Sequence, residues 1–361
     1  MKPSVRRLPL IDAIKAIASQ LIVLHHLAFY GPMSDVAYPL APELISWMSR
    51  NGRMAVQAFL VVGGFLAVRS LAPGGRLASV LSPGALLKHR YLRLALPYGA
   101  MLIVSIASAA IARHWADLES IPAAPTVMQM ITHMLLLNGI LGVDSLSAGV
   151  WYVAIDFQLF AVLLGCLWLA GAQKNHRTWA MTGPLIVVCL GLASLFFFNR
   201  DSDWDDWAVY FFGAYALGAV AYWAAHARRA HWWLLAMTVA TLAALYVDFR
   251  ERIAVAGVVA LVLAVAEWRG GLERWPQSAT LAFLGRISYS VFLVHFPVCL
   301  LINAFFDRFM PEDAVINLVG IAVAWATSVA CGTLFYRTVE SRAGEWLAMA
   351  RGGLRRLSRA P

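Results

Sequence analysis

The chain has 361 residues, of which 61% are hydrophobic and only 14% are charged, and its formal net charge is +9. Soluble domains contain about 45–50% apolar and about 25% charged residues, so this composition excludes an ordinary water-soluble globular protein. The basic residues flank apolar segments, as in membrane proteins, and nucleic-acid binding is therefore not expected. The cysteines lie inside apolar segments without metal-ligand spacing, and we expect them to be small buried side chains.

Apolar blocks of about 18–22 residues, each long enough to cross a bilayer as a helix, recur along the whole chain. The blocks are continuous rather than alternating, which favours helices over a barrel. The sequence therefore predicts an all-α integral membrane protein with about ten transmembrane helices. The predicted spans are 10–30, 54–71, 94–112, 150–170, 179–198, 207–225, 232–248, 253–268, 282–304 and 315–337. The stretch 125–142 is predicted to be a re-entrant or interfacial helix.

Lysine and arginine residues are distributed unevenly between the two sets of loops. With the N-terminus inside, 20 of them fall in cytoplasmic segments and 7 on the opposite side. The positive-inside rule then predicts that both termini are cytoplasmic. The seven on the opposite side are Arg50, Arg53, Arg113, Arg200, Arg250, Arg252 and Arg308. We expect a single transmembrane domain over residues 1–345 and a basic cytoplasmic tail over 346–361.

Ionisable groups inside apolar spans are the main clue to function, because each is costly unless it is paired or solvated. The first span carries Asp12, Lys15, His25 and His26. Lys15 and His26 lie eleven residues apart, which places them about 16 Å apart on nearly the same helix face. Asp12 can pair with Lys15, and His25 points about 100° away. The alternative is a tilted helix whose histidines bond to neighbouring carbonyl groups.

Three later segments carry further polar groups. KHRYLRLALPY (88–98) places Arg90 and Arg93 on one helix face at the cytoplasmic surface, where two guanidiniums could hold a diphosphate or simply anchor the helix. WYVAIDFQLF (151–160) carries a carboxylate, Asp156, that needs a cationic or imidazole partner. LGRISYSVFLVHFPV (284–298) places His295 about 14 Å beyond Arg286. Histidines in the outer halves of two helices, with a carboxylate on a third, indicate a shared site.

These segments resemble the acyltransferase-3 family of bacterial inner-membrane acyltransferases, over about residues 8–342. LIDAIKAIASQLIVLHH resembles the family's D-G-L-R-A-I-A…(F/Y)-H opening, and FLVVGGFLAVRS (59–70) its F-x-x-S-G-F-L segment. HRYLRLALPY is similar to R-x-x-R-I-x-P-x-Y, and WYVAIDFQLF to W-x-L-x-x-E-x-Q-F-Y. The 284–298 segment is similar to L-G-x-I-S-Y-x-x-Y-L-x-H-x-P-V, and FYRTVESR (335–342) to Y-R-x-x-E. Lys15 stands where the family has arginine, and Asp156 where it usually has glutamate.

The resemblance implies transfer of an acyl group, with acetyl favoured, from cytoplasmic acyl-CoA to a hydroxyl of a glycan or lipid-linked acceptor. It implies a bacterial inner-membrane location and requires no metal. The implied catalytic residues are His26, Asp156 and His295, and the implied acyl-CoA-binding residues are Lys15, Arg90, Arg93 and Arg286. The implied substrate cavity is lined by Asp12, His25, Trp151, Gln158, Ser288 and Tyr289.

Several alternatives stay open at this point. His26 would act as general base or carry the acyl group, and His25 is the alternative candidate for that role. A transporter or flippase for a lipid or glycan explains the spans and the intramembrane charges equally well. A membrane-bound O-acyltransferase of the other large family and a purely structural membrane protein are further alternatives. A homo-oligomer is compatible with the sequence.

Overall fold

The computed structural model describes residues 7–79, 81–172 and 181–345. Lys174 and Arg177, which were counted as cytoplasmic, and the predicted tail 346–361 lie outside the described residues. Within the described ranges the chain is helical and contains no strand.

The α-helices follow the predicted spans closely. In chain order they are α1 (Pro9–Phe29), α2 (Met33–Ala37), α3 (Pro42–Asn51), α4 (Val56–Leu71), α5 (Pro83–Trp115), α6 (Val127–Met134), α7 (Val150–Ala172), α8 (Thr182–Phe196), α9 (Ala208–Ala225), α10 (Ala230–Val247), α11 (Glu251–Trp268), α12 (Ala279–Phe309) and α13 (Ala314–Phe335). A π-helical turn, Tyr336–Glu340, follows α13. The short helices α2 and α3 were not predicted, and α5 begins well before the predicted span at 94.

Nine helical segments of the described chain are long and apolar enough to cross a membrane. Helix α11 is not among them, because its 18 residues include Glu251, Arg252 and Glu267. The stretch 125–142 forms the eight-residue helix α6, which is too short to cross a bilayer. The predicted all-α polytopic membrane fold is confirmed. The cytoplasmic position of both termini stays a prediction. It requires an even number of membrane crossings, and the described chain has nine segments that meet the length and hydropathy criteria.

The described helices form two compact units. The first comprises the described parts of Met1–Ile22, Arg53–Ala85 and Ala154–Arg286, and the second those of Val23–Gly52, Leu86–Val153 and Ile287–Pro361. Helices α1, α5, α7 and α12 each contribute residues to both units.

In the first unit, α4 packs directly against α9. A Cβ atom at Gly64 would lie 1.9 Å from the carbonyl oxygen of Tyr215, and one at Gly218 would lie 1.9 Å from that of Val61. Only glycine fits at either position, and the two glycines let the helix backbones touch, as small residues do in membrane helix pairs.

In the second unit, hydrogen bonds hold α12 against neighbouring segments at several positions along its length. The side-chain amide of Asn303 donates to the carbonyl of Tyr30 at 3.0 Å, and its oxygen accepts from the backbone N–H of Met33 at 3.2 Å. Ser290, which is fully buried, donates its hydroxyl to the carboxylate of Glu340 in the π-helical turn. These bonds set the axial position of α12, which carries His295.

Candidate active site

The central feature of the second unit is a pair of histidines on different helices. Nδ1 of His26, near the end of α1, lies 2.6 Å from Nε2 of His295, in the middle of α12. The two rings are nearly parallel, with an interplanar angle of 18° and centroids 4.8 Å apart. His295 is only 1% exposed, whereas His26 is partly exposed. The pair therefore combines one fully buried imidazole with one that is partly exposed.

The bonds around His295 determine where the protons lie. Its Nδ1 is 2.7 Å from the carbonyl oxygen of Phe292 and 3.2 Å from that of Val291. A carbonyl oxygen only accepts, so Nδ1 of His295 carries a proton and Nε2 of the neutral ring is an acceptor. Nδ1 of His26 must then be the donor across the 2.6 Å bond. In the neutral pair, Nε2 of His26 keeps its lone pair and is the basic nitrogen.

Apolar and aromatic groups surround this pair. The ring of Tyr30 lies 5.5 Å from that of His26, and the ring of Phe296 lies 6.1 Å from it. Tyr30 and Phe296 pack edge to face at 5.1 Å, and the thiol of Cys299 lies 3.8 Å from the carbonyl oxygen of His26. Such a setting has a low local dielectric, which strengthens the hydrogen bond between the imidazoles.

The predicted diphosphate-binding arginines lie within α5 and not before it. Arg90 is partly buried and Arg93 is exposed. Pro97 removes the N–H that would bond to the carbonyl of Arg93, yet the helix continues through it. Tyr91 donates its hydroxyl to the carbonyl of Met134 at 2.7 Å and so connects this part of α5 to α6.

The model of the acyltransferase-3 family, described as an acyltransferase domain, matches residues 8–337. The chain belongs to this family. The acyltransferase is thus a multi-pass membrane protein, and the resemblance seen in the sequence motifs is confirmed. No curated protein and no solved structure matches the chain.

His25 of the acyltransferase has a different environment from its neighbour in sequence. Its Nδ1 lies 3.2 Å from the carbonyl oxygen of Met48 on α3, and its side chain is buried. The ring of Phe29 lies 5.5 Å away. His25 therefore helps attach α1 to α3, while His26 has the more exposed side chain of the two.

Several predicted site residues of the acyltransferase lie in the first unit: Asp12, Lys15, Asp156, Gln158 and Arg286. Asp12 forms an ion pair with Arg7, with Nε of Arg7 3.4 Å from Oδ2 of Asp12. Lys15 and Gln158 are partly buried, and Arg286 is exposed. Asp156 is 6% exposed and lies close to Gly63, where an added Cβ would be 3.6 Å from its Oδ1.

The remaining predicted residues lie in the second unit. Ser288 is fully buried, and Trp151 and Tyr289 are partly buried. Among the described residues, no group of three or more metal-ligating side chains could hold a metal ion.

Sequence reasoning did not identify every residue around the pair. The carboxylate of Asp156 was expected to pair with a cation or an imidazole, whereas the partner at Nδ1 of His26 is His295, and the role of Asp156 stays a prediction. Tyr30 and Cys299 were missed. Each lies four residues after one of the histidines, so the i, i+4 spacing was the signal that could have found them.

Proposed function

We propose that the acyltransferase moves an acyl group, acetyl in the first instance, from acyl-CoA to a hydroxyl of a glycan or lipid-linked acceptor, with His26 as general base. Membership of the acyltransferase-3 family supports acyl transfer over the transporter alternative. The single observation that carries the role of His26 is its hydrogen bond to His295, which leaves Nε2 of His26 unprotonated.

In the proposed reaction, Nε2 of His26 accepts the proton of the acceptor hydroxyl while the hydroxyl oxygen attacks the thioester carbonyl. A C–O bond forms, the C–S bond breaks, and the proton passes from His26 to the departing CoA thiolate. General-base catalysis of this kind contributes about 10²–10⁴-fold. His295 is a positioning residue, because it holds the tautomer of His26 that exposes the basic nitrogen.

We assign binding of the acyl donor, acyl-CoA, to basic residues. Arg90 and Arg93 would bind the CoA phosphates at the cytoplasmic membrane surface, since paired guanidiniums form bidentate, charge-assisted bonds to phosphate. The roles that the family resemblance implies for Lys15, Arg286 and Asp156 stay predictions. We further propose that the protein lies in the bacterial inner membrane, as the family resemblance implies.

The test uses purified protein in detergent with acetyl-CoA and cell-envelope glycan extract, with thiol release and acylated product as readouts. His26→Gln keeps a donor for Nε2 of His295 but lacks a base, so we expect turnover to fall about 10²–10⁴-fold with little loss of stability. His25→Gln is the matched control and should stay within about tenfold of wild type, which corresponds to 1.4 kcal/mol.

Wild-type turnover in His26→Gln would overturn the proposal. Radiolabelled acyl groups that remain on denatured wild-type protein but not on His26→Gln would replace the general-base role by an acyl-carrier role. Mass spectrometry of envelope glycans and lipids from cells with and without the gene would identify the acceptor.

A further inference from the structure

A cavity of about 470 Å³ lies in the second unit, where α5 and α12 end. Its lining includes Arg113, His114, Trp115, Asp117, Ile121 and Arg308. Small-molecule sites are typically clefts of about 300–1,000 Å³, so the volume suits a ligand of saccharide size. The proposed reaction assigns no role to this cavity.

The residues that line the cavity carry more positive than negative charge. Arg113 donates to the carbonyl of Pro122, which is a neutral acceptor, and Arg308 is exposed. Within the part of the chain that the structure describes, neither guanidinium forms an ion pair, and Asp117 is the only carboxylate in the lining. Two arginines against one carboxylate leave a net positive site.

The predicted position of Arg113 and Arg308 on the outer side of the membrane suggests a function for them. Both belong to the small set of basic residues that the predicted topology places outside, where the positive-inside rule disfavours them. A basic residue in the last turn of a helix is favoured by the helix dipole, which accounts for one charge at each helix end. The ends of α5 and α12 are in contact through Trp115 and Phe305, so both guanidiniums line one cavity.

The cavity also has an aromatic wall. The indole of Trp115 packs edge to face against Phe305 and Phe309, with centroids 6.2 and 6.0 Å away. These contacts hold the indole in place at the edge of the cavity. An aromatic surface beside a few convergent polar groups is the usual composition of a site for an amphipathic ligand.

A chain of contacts joins the cavity to the histidine pair. Ile121 lines the cavity and packs against a buried cluster that includes Phe296, and Tyr30 packs against the same cluster. The ring of Tyr30 lies 5.5 Å from that of His26. Along α12, Arg308 follows His295 by thirteen residues, a rise of about 20 Å. An acceptor that reaches both the cavity and His26 would therefore span about 20 Å.

We infer that this cavity binds an acidic saccharide unit of the acceptor, one that carries a carboxylate or a phosphate, on the outer side of the membrane. The inference rests on the proposed function, because it takes the acceptor to be the molecule that reaches His26. The two guanidiniums bind the acidic group through charge-assisted hydrogen bonds, and Trp115 contacts the apolar face of the sugar ring.

The test measures binding to purified protein in detergent without acyl-CoA. Trigalacturonate is compared with its neutral methyl ester, and mannose 6-phosphate with mannose. We expect wild-type protein to prefer one acidic probe over its neutral counterpart, and the preference to shrink as salt is raised. Arg308→Gln should weaken binding of that probe about tenfold, and Arg113→Gln with Arg308→Gln should abolish the preference.

Arg50→Gln is the matched control, because Arg50 is also exposed, also predicted to lie outside, and also bonded to a backbone carbonyl. This variant should bind like wild type. Arg308→Gln serves as the test if the double variant, which loses the bond to the Pro122 carbonyl, fails to fold.

Equal wild-type affinity for the acidic and neutral probes would overturn the inference. So would wild-type binding by Arg308→Gln, an equal loss in Arg50→Gln, or loss of the acidic preference when phosphatidylglycerol is added, which would assign the charges to lipid headgroups. No turnover enters the measurement, so its failure leaves the His26 test untouched. Conversely, wild-type turnover in His26→Gln would not alter the binding result.

Discussion

The strongest prediction concerns the hydrogen bond between the two imidazoles. His295→Phe keeps a planar ring at the same position of α12 but removes the acceptor for the Nδ1 proton of His26. The donor then faces an apolar ring, and nothing holds the proton on Nδ1. Part of the protein would carry the proton on Nε2 instead, where it blocks the proposed base.

The size of the effect follows from the burial of the bond. A buried donor that loses its partner costs about 1–3 kcal/mol. Each 1.36 kcal/mol is tenfold in rate, so kcat should fall about 5–150-fold. KM for acyl-CoA should change less than about threefold, because the lost interaction supports the reacting nitrogen and not donor binding. His295→Gln offers an amide oxygen as acceptor and should recover most of the lost kcat.

Steady-state turnover with acetyl-CoA measures these quantities in wild type, His295→Phe, His295→Gln and His26→Gln. The double variant His26→Gln with His295→Phe should lose no more than His26→Gln alone, because the positioning residue acts only through the base. Wild-type kcat in His295→Phe, or losses that multiply in the double variant, would refute the reasoning.

Other predictions test the donor end, the short helix and the π-helical turn. Replacing Arg90 and Arg93 together by glutamine should raise KM for acyl-CoA about tenfold or more with kcat nearly unchanged, because two charge-assisted contacts are lost; an unchanged KM would make them membrane anchors. Burial lowers the pKa of His133 from 6.5, so the unfolded chain binds more protons than the folded protein as pH falls below 6.5. Stability should therefore fall from pH 7 to pH 5, and His133→Gln should flatten that decline by at most about 1.4 kcal/mol per pH unit in detergent unfolding; an unchanged slope would contradict this. Glu340→Ala leaves the buried hydroxyl of Ser290 without its acceptor and should lower the free energy of unfolding by about 1–3 kcal/mol, whereas Glu340→Gln should lower it by under about 1; equal losses would show that the hydrogen bond is not the cause.

Much of the fold could be predicted because membrane spans are encoded locally. Helix α9 was expected at 207–225 and occupies Ala208–Ala225, since a continuous apolar run of that length has no other stable form in a bilayer. The start of α5 could not be predicted in the same way. Its first turns contain charged residues such as Lys88 and Arg90. Such a segment is equally compatible with a loop at the membrane surface and with a helix.

The sequence predicted individual residues of the candidate site but not the contacts between them. Family motifs identified His26 and His295, but their spacing along the chain carries no information on whether they touch. The bond joins side chains 269 residues apart. A buried carboxylate such as that of Asp156 needs a cationic or imidazole partner, but this requirement does not say which residue the partner is.

The sequence by itself determined that this is an all-α membrane protein of the acyltransferase-3 family, with intramembrane histidines and clusters of basic residues. Only the tertiary structure decided that His26 donates to His295, and hence that Nε2 of His26 is the basic nitrogen. It also decided that Arg113 and Arg308 line one cavity. The physical reason is that a membrane helix can be apolar on every side, so its sequence fixes its length but not its rotation or axial offset against its neighbours.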